Sequence, residues 1–257
     1  MKILIISDIH YGEDTNYPAH GGEDYINHFG SQFENYIPKF KTLAQEYDLI
    51  INLGDLIAEV NADNDAELYK KALGLLNVGV PVKCVLGNHE LRNLSRSQLA
   101  QIIGENSPYY SFDINNYHHI VLDSFRNDRT EQCRIDPEQL AWLKEDLKKT
   151  NLPTLIYCHY ILDDQSLDNN YYFKGKPHRA YIENKAEVRK IFEDSQKVMA
   201  VFCGHLHFFH QENINNLEYI TVPAFTENDS THRPQAQCVS VELDGNNIET
   251  SIKSLNL

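Results

Sequence analysis

"KILIISDIH", Lys2–His10, is a short apolar run that ends in side chains able to bind a metal, and the rest of the chain repeats that design. An apolar run of strand length without polar alternation reads as a strand buried on both faces. The same texture recurs in "LIINL" (Leu49–Leu53), "VKCVL" (Val82–Leu86), "HIVLD" (His119–Asp123), "TLIYC" (Thr154–Cys158) and "VMAVFC" (Val198–Cys203). Between these runs, helical periodicity predicts helices over Ser31–Tyr47, bent or delayed by Pro38, and over Asp65–Asn77, Ser95–Ile103, Asp136–Lys149 and Lys185–Asp194. The clearest is "DPEQLAWLKEDLKK": Asp136 caps it, Pro137 takes the first helical position, and Leu140, Leu143 and Leu147 share a face. Alternating strands and helices imply βαβ units and a largely parallel sheet.

Beyond Gly204 the texture changes. "EYITVPAF", "AQCVSVEL" and "NIETSIKSL", with "DGNN" as a hairpin turn, predict antiparallel strands without intervening helices, so the sheets should be mixed. Tyr11–Gly30 and Tyr160–Ile182 read as long loops rich in Asp, Asn, Gly, Tyr and His, and loops of this length in a compact domain are usually functional or disordered.

A chain of 257 residues, 42% of them hydrophobic, suits a single α/β domain over residues 1–257. The formal net charge of -14 argues against binding a nucleic-acid polymer, whose affinity comes from Lys and Arg on phosphates. No secretory leader and no membrane-spanning run is visible, and the 5 cysteines form no C-x-x-C pair. These features lead to the expectation of a soluble, cytoplasmic protein with no membrane partner and no sign of an obligate oligomer.

The polar residues that could hold metal cluster just past the C-terminal ends of the predicted strands. Asp8 and His10 follow the first, Asp55 the second, Asn88 and His89 the third; His159, and then His205 with His207, follow the last two. Ligands of open α/β sheets bind in the crevice beyond those strand ends. In extended chain, residues i and i+2 point to one side, so Asp8 with His10, and His205 with His207, can each aim two donors at one place. Carboxylate, amide oxygen and imidazole together suit manganese, iron or zinc, with cobalt and nickel in the same class. A lone Asp-x-His is an ordinary capped turn and a lone Gly-Asp says nothing. With 12 glycines and 12 histidines in the chain, Gly-His-x-His arises by chance roughly 0.03 times. The order and strand-end placement of the whole set favour a metal site.

Together "SDIH" (Ser7–His10), "GD" (Gly54, Asp55), "GNHE" (Gly87–Glu90), His159 and "GHLH" (Gly204–His207) resemble the signature blocks of the calcineurin-like metallophosphoesterases. The Asp-x-His start and the length are similar to the bacterial cyclic-nucleotide and glycerophosphodiester phosphodiesterase group. The resemblance implies a four-layer α-β-β-α sandwich with a dinuclear metal centre. It makes Asp8, His10 and His207 ligands of a first ion and Asn88, His159 and His205 ligands of a second, with Asp55 bridging. Tyr160 departs from the proline or histidine that often follows the isolated histidine.

The activity so implied is hydrolysis of phosphodiesters, cyclic nucleotides or glycerophosphodiesters among them. Attack would come from a hydroxide shared by two transition-metal ions, manganese and iron first and zinc next. Catalysis then rests on Asp55 and Asn88 as ligands and on His89, whose imidazole would assist the leaving group. Glu90 is expected to start a helix or orient its neighbours. Arg92, Tyr160, Arg179 and His20 are the expected contacts of a small phosphate-ester substrate. A phosphomonoesterase acting on small molecules or phosphoprotein is the alternative, although the "GDxVDRG" and "RGNHE" patterns of protein serine/threonine phosphatases are missing. A non-catalytic scaffold need not keep all these positions. His118 and His119 are expected to pack or cap a strand, and His210 to be a strand or surface histidine.

Overall fold

The computed structural model describes residues 1–18, 25–126, 132–228 and 233–255. Two sheets carry the architecture. The first runs in the order β15 (Asn247–Ser254), β14 (Gln237–Asp244), β1 (Lys2–Ile6), β4 (Leu49–Asn52), β5 (Val82–Cys84). The second runs β12 (His210–Ile214), β13 (Leu217–Thr221), β11 (Val198–Cys203), β10 (Thr154–Cys158), β7 (Tyr117–Val121), β6 (Tyr110–Ile114). Two small hairpins, β2 (Thr15–Pro18) with β3 (Tyr25–His28) and β8 (Phe125–Arg126) with β9 (Cys133–Arg134), complete the described strands.

Side-chain alternation sorts the central strands into layers. Ile3, Ile5 and Ile51 of the first sheet meet Leu155, Tyr157, Ala200 and Phe202 of the second in a shared apolar core. Leu4, Ile6 and Ile50 face the other way, onto Phe33 and Phe40 of α1 (Phe33–Ala44) and Tyr69 and Leu76 of α2 (Ala62–Leu76), with Leu99 of α3 (Arg96–Ile102) nearby. Ile156 and Val201 face Leu140, Leu143 and Leu147 of α4 (Pro137–Lys149) and Val188, Ile191 and Phe192 of α5 (Lys185–Ser195). Each strand residue therefore changes layer with the pleat, which gives the α-β-β-α sandwich. Full burial of each such aliphatic side chain is worth about 1.5–3 kcal/mol.

β1, β4 and β5 are parallel, as are β7, β10 and β11. β14 runs antiparallel to both β1 and β15, in keeping with the expectation for the C-terminal strands. β13 differs: it lies parallel to β11, because the antiparallel turn is made between β12 and β13. The hairpins β6–β7 and β12–β13 turn through Asn115–Asn116 and Asn215–Asn216, all with positive φ, a conformation asparagine tolerates better than most residues. Part of the segment expected to be a loop between Tyr11 and Gly30 is instead the β2–β3 hairpin. All five cysteines are free and buried; burial pushes Cys84 and Cys158 up to about 12 and leaves them inert as nucleophiles. Among the described residues no helix is long and apolar enough to cross a membrane.

Candidate active site

The loops that carry the expected ligands are stitched to one another by backbone hydrogen bonds. Asp8 and His10 donate from their amides to the carbonyls of Gly54 and Asp55, at 3.1 and 2.9 Å, joining the ends of β1 and β4. Gly204 N–H donates to His159 O at 3.0 Å and joins β10 to β11. Ala224 N–H donates to His207 O and Phe225 N–H to Ser7 O, both at 3.0 Å, which closes the ring of loops. Asp8, His10, Asp55, His159, His205 and His207 are all buried here, and Asn88 brings a buried Oδ1.

The chain achieves this convergence by a different conformation from the extended one expected. Asp8, His10, Asp55, His205 and His207 all have positive φ, between 47° and 69°. Asp and His tolerate this left-handed region better than most L-residues, yet it costs energy and concentrates at sites that function demands. Gly204 does not share this conformation, since its φ is not positive. A Cβ there would press on Ser7 Oγ and come within 2.7 Å of Asp8 Oδ2, so the residue is glycine for close approach rather than for turning.

Each group has one atom anchored and another aimed inward. Asp8 Oδ2 accepts from Ser7 Oγ and from His205 N–H at 3.1 Å. His159 Nδ1 donates to Leu53 O at 2.8 Å, which fixes the ring and turns Nε2 toward Asp55 Oδ2, 3.2 Å away. His207 Nδ1 meets Glu227 Oε2 at 2.6 Å while its Nε2 lies 3.2 Å from Asp8 Oδ1. His205 Nε2 sits 2.9 Å from the carbonyl of Arg179. Asp8 Oδ1, His10 Nε2, Asn88 Oδ1 and His159 Nε2 are buried without a hydrogen-bond partner. Imidazole and carboxylate atoms this close, His159 Nε2 with Asp55 Oδ2 and His207 Nε2 with Asp8 Oδ1, fit a shared ion about 2.1 Å from each.

Donor atoms of Asp55, His159 and His205 lie within 4.8 Å of one another, as do those of His10, Asp55 and His89, and those of His10, His28 and His207. Asp55 belongs to two of these groups. Electrostatics agree with a cation-shaped site. Burial and His159 lower His205 to about 3, and burial with His28 and His89 holds His10 well below its ordinary value, so both imidazoles are neutral donors. Burial opposes the charged form of His159 too, but Asp55 and Asp8 outweigh it and raise the group to about 9. Without a cation, the carboxylates hold protons on their histidine neighbours; a metal bound there would release them.

Around this centre, His89 Nδ1 pairs with Glu59, its amide donates to Asp55 Oδ1 at 2.8 Å, and its ring lies 4.5 Å from that of His10. Glu90 is fully buried and accepts from the amides of Leu56 and Gly87, tying the loop of Asp55 to that of Asn88, in line with an orienting role. A cavity of about 280 Å³ opens beside Asn88, lined by Leu91, Arg92, Arg96, Ser124 and Tyr160 among others. Tyr160 is buried and packs on His205 at 4.0 Å. Arg92 pairs with Glu59, and Arg96 Nε donates to Asp123 Oδ2 at 2.6 Å.

A calcineurin-like phosphoesterase family model matches residues 1–209. The chain belongs to the calcineurin-like phosphoesterases. Over 167 residues this phosphoesterase is 25% identical to a probable cyclic nucleotide phosphodiesterase of Synechococcus sp., covering 62% of the chain and 58% of that relative. Its fold is similar to that of a dimetal phosphatase from Danio rerio, with a TM-score of 0.75, 15% identity, and coverage of 100% and 99% of the two chains. It is also similar to that of the yellow lupin purple acid phosphatase PPD1, with a TM-score of 0.71 and 14% identity, over 99% of this chain and 51% of that one.

Of the expected substrate contacts, Arg92 and Tyr160 line the cavity, Arg179 meets the site through its backbone carbonyl, and His20 lies outside the described residues. His28, Glu59, Arg96, Tyr172 and Glu227 were not legible as site residues. His28 and Glu227 stand far from any strand-end block, and no local spacing marks them. His118 and His119 lie within β7, away from the phosphoesterase centre: His118 pairs with Asp113 and Asp146, and His119 with Tyr157. His210 begins strand β12, and its Nε2 lies 3.8 Å from Glu212 Oε1.

Proposed function

We propose that the protein is a dinuclear metal-dependent hydrolase of small phosphate esters that favours diesters. The observation that carries this reading is the set of buried inward atoms without hydrogen bonds, Asp8 Oδ1, His10 Nε2, Asn88 Oδ1 and His159 Nε2. Asp8, His10 and His207 would hold one ion, Asn88, His159 and His205 the other, and Asp55 both. Bound there, two transition-metal ions supply Lewis acidity toward phosphoryl oxygens and acidify water.

The chain's own groups perform the remaining work. Glu59 holds His89 Nδ1, which leaves Nε2 to carry a proton to the departing oxygen. Tyr160 closes the side of the site against His205 and keeps bulk water from that face. Arg92 and Arg96 orient the ester from the cavity, each with its charge already matched by a carboxylate, Glu59 and Asp123. Matched arginines favour a singly charged diester over a doubly charged monoester, and the cyclic nucleotide phosphodiesterase relative supports the same preference.

The test is turnover of bis(p-nitrophenyl) phosphate, p-nitrophenyl phosphate and 3′,5′-cyclic nucleotides by metal-analysed protein, beside Asn88→Ala and His89→Ala. Loss of His89 should cost about 10²–10⁴ in kcat on diesters. Absence of turnover above Asn88→Ala with added manganese or iron overturns the enzyme reading. Far faster cleavage of the monoester overturns only the diester preference.

A further inference from the structure

We propose that His28 is an additional metal-coordinating residue, a third imidazole at the ion held by Asp8, His10 and His207; this rests on the dinuclear reading above. His28 belongs to none of the strand-end blocks. It arrives on the β2–β3 hairpin, which is sewn to the segment Thr226–Asn228. Phe29 N–H donates to Thr226 O at 3.0 Å, Asn228 N–H to Asn27 O at 2.9 Å, and Asn27 N–H to Asn228 Oδ1 at 2.7 Å. That seam sets His28 beside Glu227, with which it forms a β-bridge.

The result is a buried group of imidazoles. His28 is 3% exposed, and its ring centroid lies 4.4 Å from that of His10 and 5.1 Å from that of His207. One ring nitrogen from each of the three lies within 4.8 Å of the others. Glu227 organises two of them at once, through His207 Nδ1 at 2.6 Å and His28 Nε2 at 3.6 Å, and Tyr172 Oη sits 2.9 Å from His28 Nε2. A carboxylate and a phenol that each grip the ring nitrogen of a buried histidine are what metal-binding imidazoles need to hold tautomer and direction. A third imidazole beside the carboxylates of Asp8 and Asp55 also biases that position toward iron, cobalt, nickel or zinc over manganese.

The decisive experiment is titration of metal-free protein with Co²⁺, followed by calorimetry and visible absorption, in the wild type and in His28→Gln. Glutamine keeps a polar contact toward Tyr172 and Glu227 but supplies no imidazole. The expected result is two ions in the wild type and, in His28→Gln, one site weakened tenfold or more with a changed cobalt spectrum while the other site is unaltered. Wild-type affinities and spectrum in His28→Gln overturn the proposal. Should the variant not fold, X-ray absorption of wild-type protein loaded with one cobalt counts imidazoles directly when the ion fills the site of His10 and His207: three support His28 and two overturn it. A wild type that binds no cobalt overturns the dinuclear reading itself.

Discussion

At the scale of single residues, the site depends on carboxylates that touch protein rather than on the donors alone. Glu90 has no accessible surface, and its two oxygens accept from Leu56 and Gly87, one residue away from Asp55 and from Asn88. Burial and the nearby Asp55 raise its affinity for a proton. Glu90→Gln keeps shape but turns one acceptor into a donor facing an amide N–H. The variant should lose about 1–3 kcal/mol of stability and bind metal about 10–100-fold more weakly, measured by urea unfolding and by metal titration. Wild-type metal affinity in a folded Glu90→Gln would show that the two loops hold their places without it.

At the scale of elements, His118 joins three of them. It sits on β7 directly across from Asp113 of β6, with Asp113 Oδ1 2.6 Å from Nδ1 and Asp146 Oδ2 of α4 2.9 Å from Nε2. Burial disfavours its charged form, but Asp146 and Asp113 prevail and raise it above the ordinary value. A histidine raised in the folded state contributes stability in full below its unfolded value of ~6.5 and loses that contribution as pH rises through the folded value. Asp113 is largely exposed, so the gain is limited to about 0.5–1 kcal/mol. The stability gap between wild type and His118→Gln should therefore shrink as pH rises above the unfolded value of ~6.5, as read by chemical denaturation; a gap independent of pH rejects the ion-pair account.

Elements also show where sequence was enough. β1, β4, β10 and β11 announced themselves because both faces are buried, one against the second sheet and one against helices, so their side chains are almost continuously apolar. The candidate donors at their ends stand out for the same reason: Asp8, Asp55, His159 and His205 interrupt apolar runs abruptly. β12, "HQENI", gives no such signal, since it is an edge strand whose side chains alternate between half-buried and exposed. His28 and Glu227 meet only through the seam between residues 27–29 and 226–228, a pairing about 200 positions apart that no local pattern encodes.

At the scale of the whole molecule, charge opposes the proposed substrate. The chain carries -14, and two bound divalent cations leave it strongly negative. Attraction for an anionic ester is therefore confined to the centre and its cavity, while the surrounding field repels. Salt screens the long-range part over about 10 Å at 0.1 M and hardly touches buried contacts. Raising ionic strength should increase kcat/KM for a charged diester, or at least not reduce it. A steep fall with salt would mean that exposed cations steer the substrate.

The left-handed backbone at Asp8, His10, Asp55, His205 and His207 sets function and durability in opposition. At each position glycine is the residue the main chain prefers, by roughly 1–2 kcal/mol, and it would also remove a buried polar group whose proposed role is to hold a cation. Random screening for heat resistance without added metal should thus reward loss of activity, with His10→Gly among the tolerated changes. Thermal midpoints of wild type and His10→Gly should rank one way after chelation and the other way with metal in excess. The same midpoint order under both conditions would mean that the backbone stores no such tension.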